Sequence, residues 1–558
     1  MVTWSYPRRV SITGAHSLLA TLAELGVEVA FGLPGTHSLP LRKAQADGVG
    51  SEIRLLGLRH ESAVVHAADG YARVTGGLGV ALVTTGPGAL DTLRALGEAS
   101  ASASPVLLIA TEVPAAASTP ASGRGSAFEH DEQRALFEPV TKASFAVERP
   151  DDLGAVVRRA AAAAVSPRSG PVYVSLPAGA LALEVEPGDG GSVAPVLPSL
   201  ESVAAVPAED VEAARAALVE AEHPLIWVGG GALRSGAGEA IGILAERLAA
   251  PIVTTFAARG IVPPDHPCLA SNPVHAPEVG LLWDEADVVL AIGTDFDGVM
   301  TQNGSMPQPP GLIAVNLDAE GAARHYPPDL LLLGDAREVV EELSLGILPK
   351  PGLDELTRRL DDIELRVRRR VRKQEPLAAE FLTALKETVP EGSVLVPDTC
   401  VAGYWIGGFY RVSGPRQLVL PMGWGTVGLG FPASLGVAAG GAVRAVCVTN
   451  DHAFLTGCAE LATAIQESLP VTVVIVDDGG EGLGGPCVGE GSGCDALSDL
   501  VTPDFVGLAR SFGVHADRVD GFGRAFRRLL REFTRSDEPN VLVVSASLRP
   551  PGTTSTRW

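Results

Sequence analysis

Cysteine is scarce and dispersed. The six cysteines, Cys268, Cys400, Cys447, Cys458, Cys487 and Cys494, include no Cys-x-x-Cys pair, which argues against a zinc site or a disulfide framework. Free thiols in a reducing compartment fit better, and Cys447 sits in an apolar run that reads as a buried strand. Long hydrophobic runs are missing too: no uninterrupted apolar stretch could span a bilayer, and MVTWSYPRRV has no apolar core behind its arginines. A cytoplasmic location is therefore expected. Positive charge is in short supply, with 43 Lys and Arg against 66 Asp and Glu, a formal net charge of −23. Nucleic acid and anionic membranes would be repelled. There is no short-period repeat, and glycine and proline punctuate apolar runs instead of forming low-complexity tracts, so neither a solenoid nor a disordered chain is indicated.

What is present is ordinary globular material, 46% hydrophobic and 20% charged over 558 residues. That length exceeds one hydrophobic core, and two to four domains are expected. Short β-branched runs alternate with Ala/Leu-rich amphipathic segments, the pattern of parallel sheets covered by helices. Three α/β blocks separate: 1–187, 208–348 and 376–558, joined by a Gly/Pro-rich linker at 188–207 and a charged helix at 349–375. Strands are expected at Val27–Phe31, Gly79–Thr84, Val106–Ala110 and Val172–Leu176 in the first block. The second has Leu225–Val228, Ile252–Thr255, Val288–Ile292 and Leu312–Asn316; the third has Val394–Val396, Arg444–Val448, Val471–Val476 and Asn540–Val544. In the charged helix, Leu356, Leu360, Ile363, Val367 and Val371 recur at helical spacing, so the basic run Arg366–Lys373 reads as its solvated face.

Polar residues at strand ends carry the chemical signal. In the third block one strand ends in Thr449-Asn450-Asp451-His452, with a helix from about Leu455, and the next ends in Asp477-Asp478-Gly479-Gly480. Both turns would lie at the carboxyl edge of a parallel sheet, where open α/β folds bind ligands. N–H groups at a helix start can hold a diphosphate, and carboxylates there can hold a hard cation such as Mg²⁺. Alone, aspartates at strand ends are as readily ordinary loop residues. In the first block Arg59-His60-Glu61 precedes an apolar helix; a lone Glu there is commonly just a favourable dipole partner. Gly229-Gly230-Gly231 follows a strand but lacks the GxGxxG spacing, so it reads as a structural turn and FAD is not expected.

The order and wording of longer segments add to this. FGLPGTHSLPL (Phe31–Leu41), RHESAVVHAADGYARVTGGLGV (Arg59–Val80), TTGPGALDTLRALGEA (Thr84–Ala99) and LPMGWGTVGLGFPASLGVAAG (Leu420–Gly440) occur in that order, followed by the two aspartate turns. Along almost its whole length the chain resembles the thiamine-diphosphate-dependent superfamily of acetolactate synthase, pyruvate decarboxylase and benzoylformate decarboxylase. The resemblance implies three doubly wound parallel-sheet domains: pyrimidine-binding, central and diphosphate-binding. It implies that Glu61 hydrogen-bonds the cofactor pyrimidine and that the Gly425 carbonyl accepts from its amino group. Val427 would hold the cofactor bent. Asp451, Asp478 and the Gly480 carbonyl would ligate Mg²⁺, with Asn450 and His452 flanking the diphosphate. Cys400 and Val401 would lie in a loop touching the diphosphate, and Gly35, Thr36 and His37 in the turn lining the substrate end. The implied reaction is addition of a cofactor ylide to a 2-keto acid and loss of CO₂. Protonation, or transfer to an aldehyde or keto-acid acceptor, would follow. The implied enzyme is a homodimer or homotetramer with active sites between subunits.

Departures cluster in the diphosphate motif. The family's Gly-Asp-Gly is Asn450-Asp451-His452, and its Asn-Asn is Asp477-Asp478. Asn450 suits a left-handed backbone, His452 could crowd a phosphate, and Asp478 adds negative charge beside a diphosphate. Asp91 replaces a residue that is often Asn, and Gly479–Asp499 is rich in glycine where relatives carry a helix. Two readings stand: an active decarboxylase or carboligase, in secondary metabolism, or a degenerate paralogue serving as a structural partner subunit or with a repurposed pocket. His66 and His130 are candidate core, interface or substrate-contact residues, and Tyr404 and Trp405 are expected to pack in the third domain.

Overall fold

The computed structural model describes residues 12–33, 35–113, 133–185, 206–421, 423–479 and 501–552. Gly480 and His130 lie outside the described residues. The chain divides into two compact units, Met1–Ala72 with Gly77–Ser199, and Arg73–Gly76 with Leu200–Trp558.

The first unit holds one six-stranded parallel sheet. Its strands are β1 (Val29–Gly32), β2 (Arg54–Gly57), β3 (Gly79–Val83), β4 (Val106–Glu112), β5 (Ala143–Ala146) and β6 (Val172–Pro177). They run in the order β2-β1-β3-β4-β6-β5. Chain crossings between parallel neighbours require helices, and Leu39–Ala46, Leu93–Ala101 and Leu153–Val165 are among those that supply them. β3 is buried along its whole length and β4 at every position but the last, as expected of strands covered on both faces.

The second unit holds two five-stranded parallel sheets. One orders β7 (Pro224–Val228), β8 (Ile252–Thr254), β9 (Val288–Ile292), β10 (Leu312–Asn316) and β11 (Leu330–Leu333) as β11-β10-β9-β7-β8. The other orders β12 (Val394–Pro397), β13 (Ala445–Asn450), β14 (Val471–Asp477), β15 (His515–Asp520) and β16 (Asn540–Ser545) as β12-β13-β14-β16-β15. Three parallel α/β sheets are thus present, as the sequence pattern indicates. One apolar cluster runs through this unit from Trp227 and Val289 to Val474 and Leu542. The helix Leu353–Gln374 contributes Leu360, Ile363, Val367 and Val371 to it. Its opposite face carries exposed ion pairs, and Arg370 clamps Glu278 with two bonds of 2.8 and 3.0 Å.

One local expectation changes. The strand at Ala445 continues through Asn450, and the next helix begins at once, at Asp451, four residues earlier than expected; it ends at Leu455. The Gly229 turn is built into the sheet edge, as a structural turn would be: Gly229 donates to the Ile292 carbonyl and Gly231 to the Gly293 carbonyl, both at 2.9 Å.

Candidate active site

In the first unit, polar side chains gather at the carboxyl ends of β1, β3 and β4. Glu61 is the first residue of the helix Glu61–Thr75, where the dipole favours its charge. It is half-buried in the single chain. Gly88 makes room for it: a Cβ there would lie 2.8 Å from Glu61 Oε1 and 2.9 Å from Thr84. Ligand atoms of Glu61, His60 and Asp91 all lie within 4.8 Å of one another.

The turn after β1 approaches the same edge. Gly35 caps the 3₁₀ turn Thr36–Ser38, its N–H donating to Ser38 Oγ at 2.9 Å. His37 is half-buried, and its Nδ1 lies 2.6 Å from Thr85 Oγ1, which lies 2.6 Å from Thr111 Oγ1. Gln133 secures this chain of hydroxyls. Its Oε1 accepts from Gly86 N at 2.9 Å, and its Nε2 donates to the Thr111 carbonyl at 3.1 Å and the Tyr173 hydroxyl at 2.7 Å. Burial pushes the Tyr173 phenol well above its ordinary range, so it stays a neutral partner. Sequence reasoning missed Thr85, Thr111, Gln133 and Tyr173; only the paired threonines at the end of β3 gave a signal.

In the second unit the ends of β12, β13 and β14 form a second polar cluster. Asp451 is 2% exposed, and its Oδ1 has no hydrogen-bond partner among the described residues. Burial chiefly, then Asp478 and Asp477, raises its carboxyl above the ordinary range. Asp478, half-buried, also acts on the Cys400 thiol, which burial pushes up to about 12. Cys400 caps the helix Val401–Phe409 from an extended conformation; as a buried neutral thiol it is inert. Val401 is 9% exposed.

Asn450 differs from its expected role. Its backbone is extended, at φ −106° and ψ 176°, so no left-handed residue is required there. Its side chain caps the following helix, Oδ1 accepting from Ala453 N at 2.9 Å. His452 is exposed in the first turn. Asp477, the last residue of β14, is 8% exposed and pairs with Arg518 at 2.7 Å.

Asp398, at the end of β12, ties this cluster to the turn carrying Gly425 and Val427. Its carboxylate accepts from the N–H groups of Thr399 and Gly428 at 2.8 Å, Gly430 at 3.0 Å, and the Thr449 hydroxyl at 3.4 Å. Gly425 is exposed with φ +74°, a conformation that only glycine adopts at little cost. Val427 is half-buried beside it.

Three family models match this chain in order: thiamine pyrophosphate enzyme, N-terminal TPP binding domain, over residues 12–136; central domain, over 211–343; and C-terminal TPP binding domain, over 398–544. The chain belongs to the thiamine pyrophosphate enzyme family. It is 30% identical over 553 residues to a probable acetolactate synthase large subunit of Methanocaldococcus jannaschii, spanning 95% of this chain and 91% of that protein. It is 34% identical over 470 residues to the probable 2-ketoarginine decarboxylase AruI of Pseudomonas aeruginosa, spanning 84% and 82%. Its fold matches that of the thiamine diphosphate-dependent 4-hydroxybenzoylformate decarboxylase of Rhodococcus jostii. The TM-score is 0.78 at 22% identity, over 97% of this chain and 100% of that one.

Proposed function

We propose that this chain is an active 2-keto-acid decarboxylase or carboligase using thiamine diphosphate and Mg²⁺. The observation that carries the reading is the buried, unpartnered Asp451 Oδ1 with Asp478 acting on it at the ends of β13 and β14. A buried carboxylate oxygen without a donor is costly unless a cation occupies the site, and a carboxylate pair suits a hard divalent ion. The residues present therefore fit the group.

When bound, the cofactor supplies an electron sink for the carboxylate-bearing carbon of the substrate. The chain's own residues do the rest. Asp451 and Asp478 hold the cation, with the Gly480 carbonyl completing the proposed set. The turn Gly425–Val427, fixed through Asp398, offers a carbonyl and an apolar side chain to the cofactor. Glu61, at a helix start, holds a proton against a ring nitrogen. His37, held at Nδ1 by Thr85 in the turn that begins at Gly35, would pass a proton to the keto acid or orient the acceptor carbonyl. Asn450 acts by capping, and the exposed His452 would flank the diphosphate. Two or four copies form the working enzyme.

Calorimetric titration with thiamine diphosphate in Mg²⁺ tests this. Saturable, Mg²⁺-dependent binding is expected, with Glu61→Gln retaining diphosphate binding while keto-acid turnover falls at least about a hundredfold, the usual scale for a proton-handling group. No binding to the wild type at millimolar cofactor would return the chain to the degenerate-paralogue reading.

A further inference from the structure

The second strand end carries two carboxylates where the family pattern has two amides, and the structure treats them differently. Asp477 has both oxygens engaged: Oδ1 accepts from Gly479 N at 3.2 Å, and Oδ2 from Arg518 Nη1 at 2.7 Å. The same Arg518 nitrogen donates to Ser545 Oγ at 3.0 Å, and Ser545 is the register partner of Asp477 on β16. Arg518 stands on β15, beyond β16, so its side chain reaches across one strand to the acid. Asp451 Oδ1, by contrast, is buried and without a hydrogen-bond partner, and it feels both acids.

We propose that Arg518 is a charge-balancing and positioning residue of the diphosphate half-site. It withdraws Asp477 from the cation's ligands, confines carboxylate ligation to Asp451 and Asp478, and offsets the charge of one of the two added carboxylates. The inference rests on the functional reading above and explains how the altered motif accommodates a polyanion. With Arg518 present, the three acids and one guanidinium leave two net negative charges beside the cation. Without it they leave three, which attract a bare cation more strongly and repel a diphosphate more strongly. Because both carboxylates of the ligand pair belong to the chain, the divalent ion can be titrated without the cofactor.

Mn²⁺, followed by electron paramagnetic resonance without cofactor, is the probe for the first effect. Calorimetry with thiamine diphosphate at saturating Mg²⁺ reads the second. Wild type is expected to bind one Mn²⁺ per chain, and Asp478→Asn to weaken that binding about tenfold. Arg518→Gln is expected to tighten Mn²⁺ and weaken thiamine diphosphate, each roughly three- to tenfold for one charge near a partly screened site. Asp477→Asn combined with Arg518→Gln is expected to bring both affinities back toward wild type. Opposite movement of the two affinities is the signature, since mere loosening of the β15 edge would weaken both. If wild type binds Mn²⁺ and Arg518→Gln moves neither affinity, or lowers both, the inference is overturned alone. A wild type that binds neither Mn²⁺ nor cofactor at millimolar concentration overturns it together with the function it rests on.

Discussion

At the scale of single residues, Asp398 is an acid of the second unit with four donors on its carboxylate. It is 2% exposed, and burial raises its carboxyl above the ordinary range despite four donors. Those donors come from three places in the chain: its own turn, the Gly428–Gly430 turn and β13. An amide of the same shape has one acceptor oxygen and brings two donors of its own, so Asp398→Asn faces N–H against N–H at a buried point. The variant should lose about 2–4 kcal/mol of stability, the scale for stranding buried hydrogen-bonding groups. Chemical denaturation followed by far-UV circular dichroism would measure it. A loss below about 0.5 kcal/mol would mean that the three segments are held together by something else. A strand-final aspartate in VLVPDT is readable in the sequence, but its partners, about thirty and fifty residues on, are not. Asn450 shows the converse. Its identity was plain, yet its role as a cap depended on a helix beginning four residues earlier than the Ala-rich pattern indicates.

At the scale of elements, Gln133 joins three strands. It takes a donor from the turn after β3, gives one to the last part of β4 and one to Tyr173 on β6, while Phe137 stacks on Tyr173 with centroids 3.9 Å apart. Gln133→Leu would strand the Gly86 N–H and the Thr111 carbonyl in a buried place, each worth about 1–3 kcal/mol. The expected result is a stability loss of about 2–4 kcal/mol, with faster amide exchange concentrated at Thr85, Gly86 and Thr111. Uniform exchange across the sheet would count against a local role. The strands themselves show what sequence can reveal. All twelve expected strands are present within a few residues. The four not anticipated, β2, β5, β11 and β15, are all edge strands. An interior strand buried on both faces reads as an apolar run, whereas RLLG and HADRVD mix exposed and buried positions over a few residues and ASFA is only half-buried throughout. Arg518 lies on one of these edges, so its reach to Asp477 could not be foreseen.

At the scale of the whole molecule, the central and C-terminal sheets of the second unit share one apolar core, and a buried cation fastens them. Arg259 is 6% exposed and donates to the carbonyls of Ser271, Gly407 and Gly408. Burial lowers its pKa to about 10, so it remains charged at neutral pH. His275 lies close by, 4% exposed and edge-on to Phe256. Burial first, and the Arg259 charge after it, lower its pKa to about 4 from an ordinary 6.5, against a backbone hydrogen bond at Met300 that raises it. The folded chain therefore holds His275 neutral where the unfolded chain protonates it. The unfolded state binds the extra proton, so this contribution is full above pH 6.5 and is lost as pH falls toward 4. Asp297, which burial pushes up to about 6, acts with the opposite sign over an overlapping window, so the profile of the wild type alone conceals His275. A comparison with His275→Asn removes that overlap because Asp297 is common to both chains. The wild type's stability margin over the variant should shrink by about 2 kcal/mol between pH 7 and pH 5, the shift realised over those two units at about 1.4 kcal/mol per unit. Urea denaturation at the two pH values measures it. A margin equal at both would place the His275 proton at its ordinary affinity and remove the Arg259 neighbourhood as the source of pH sensitivity.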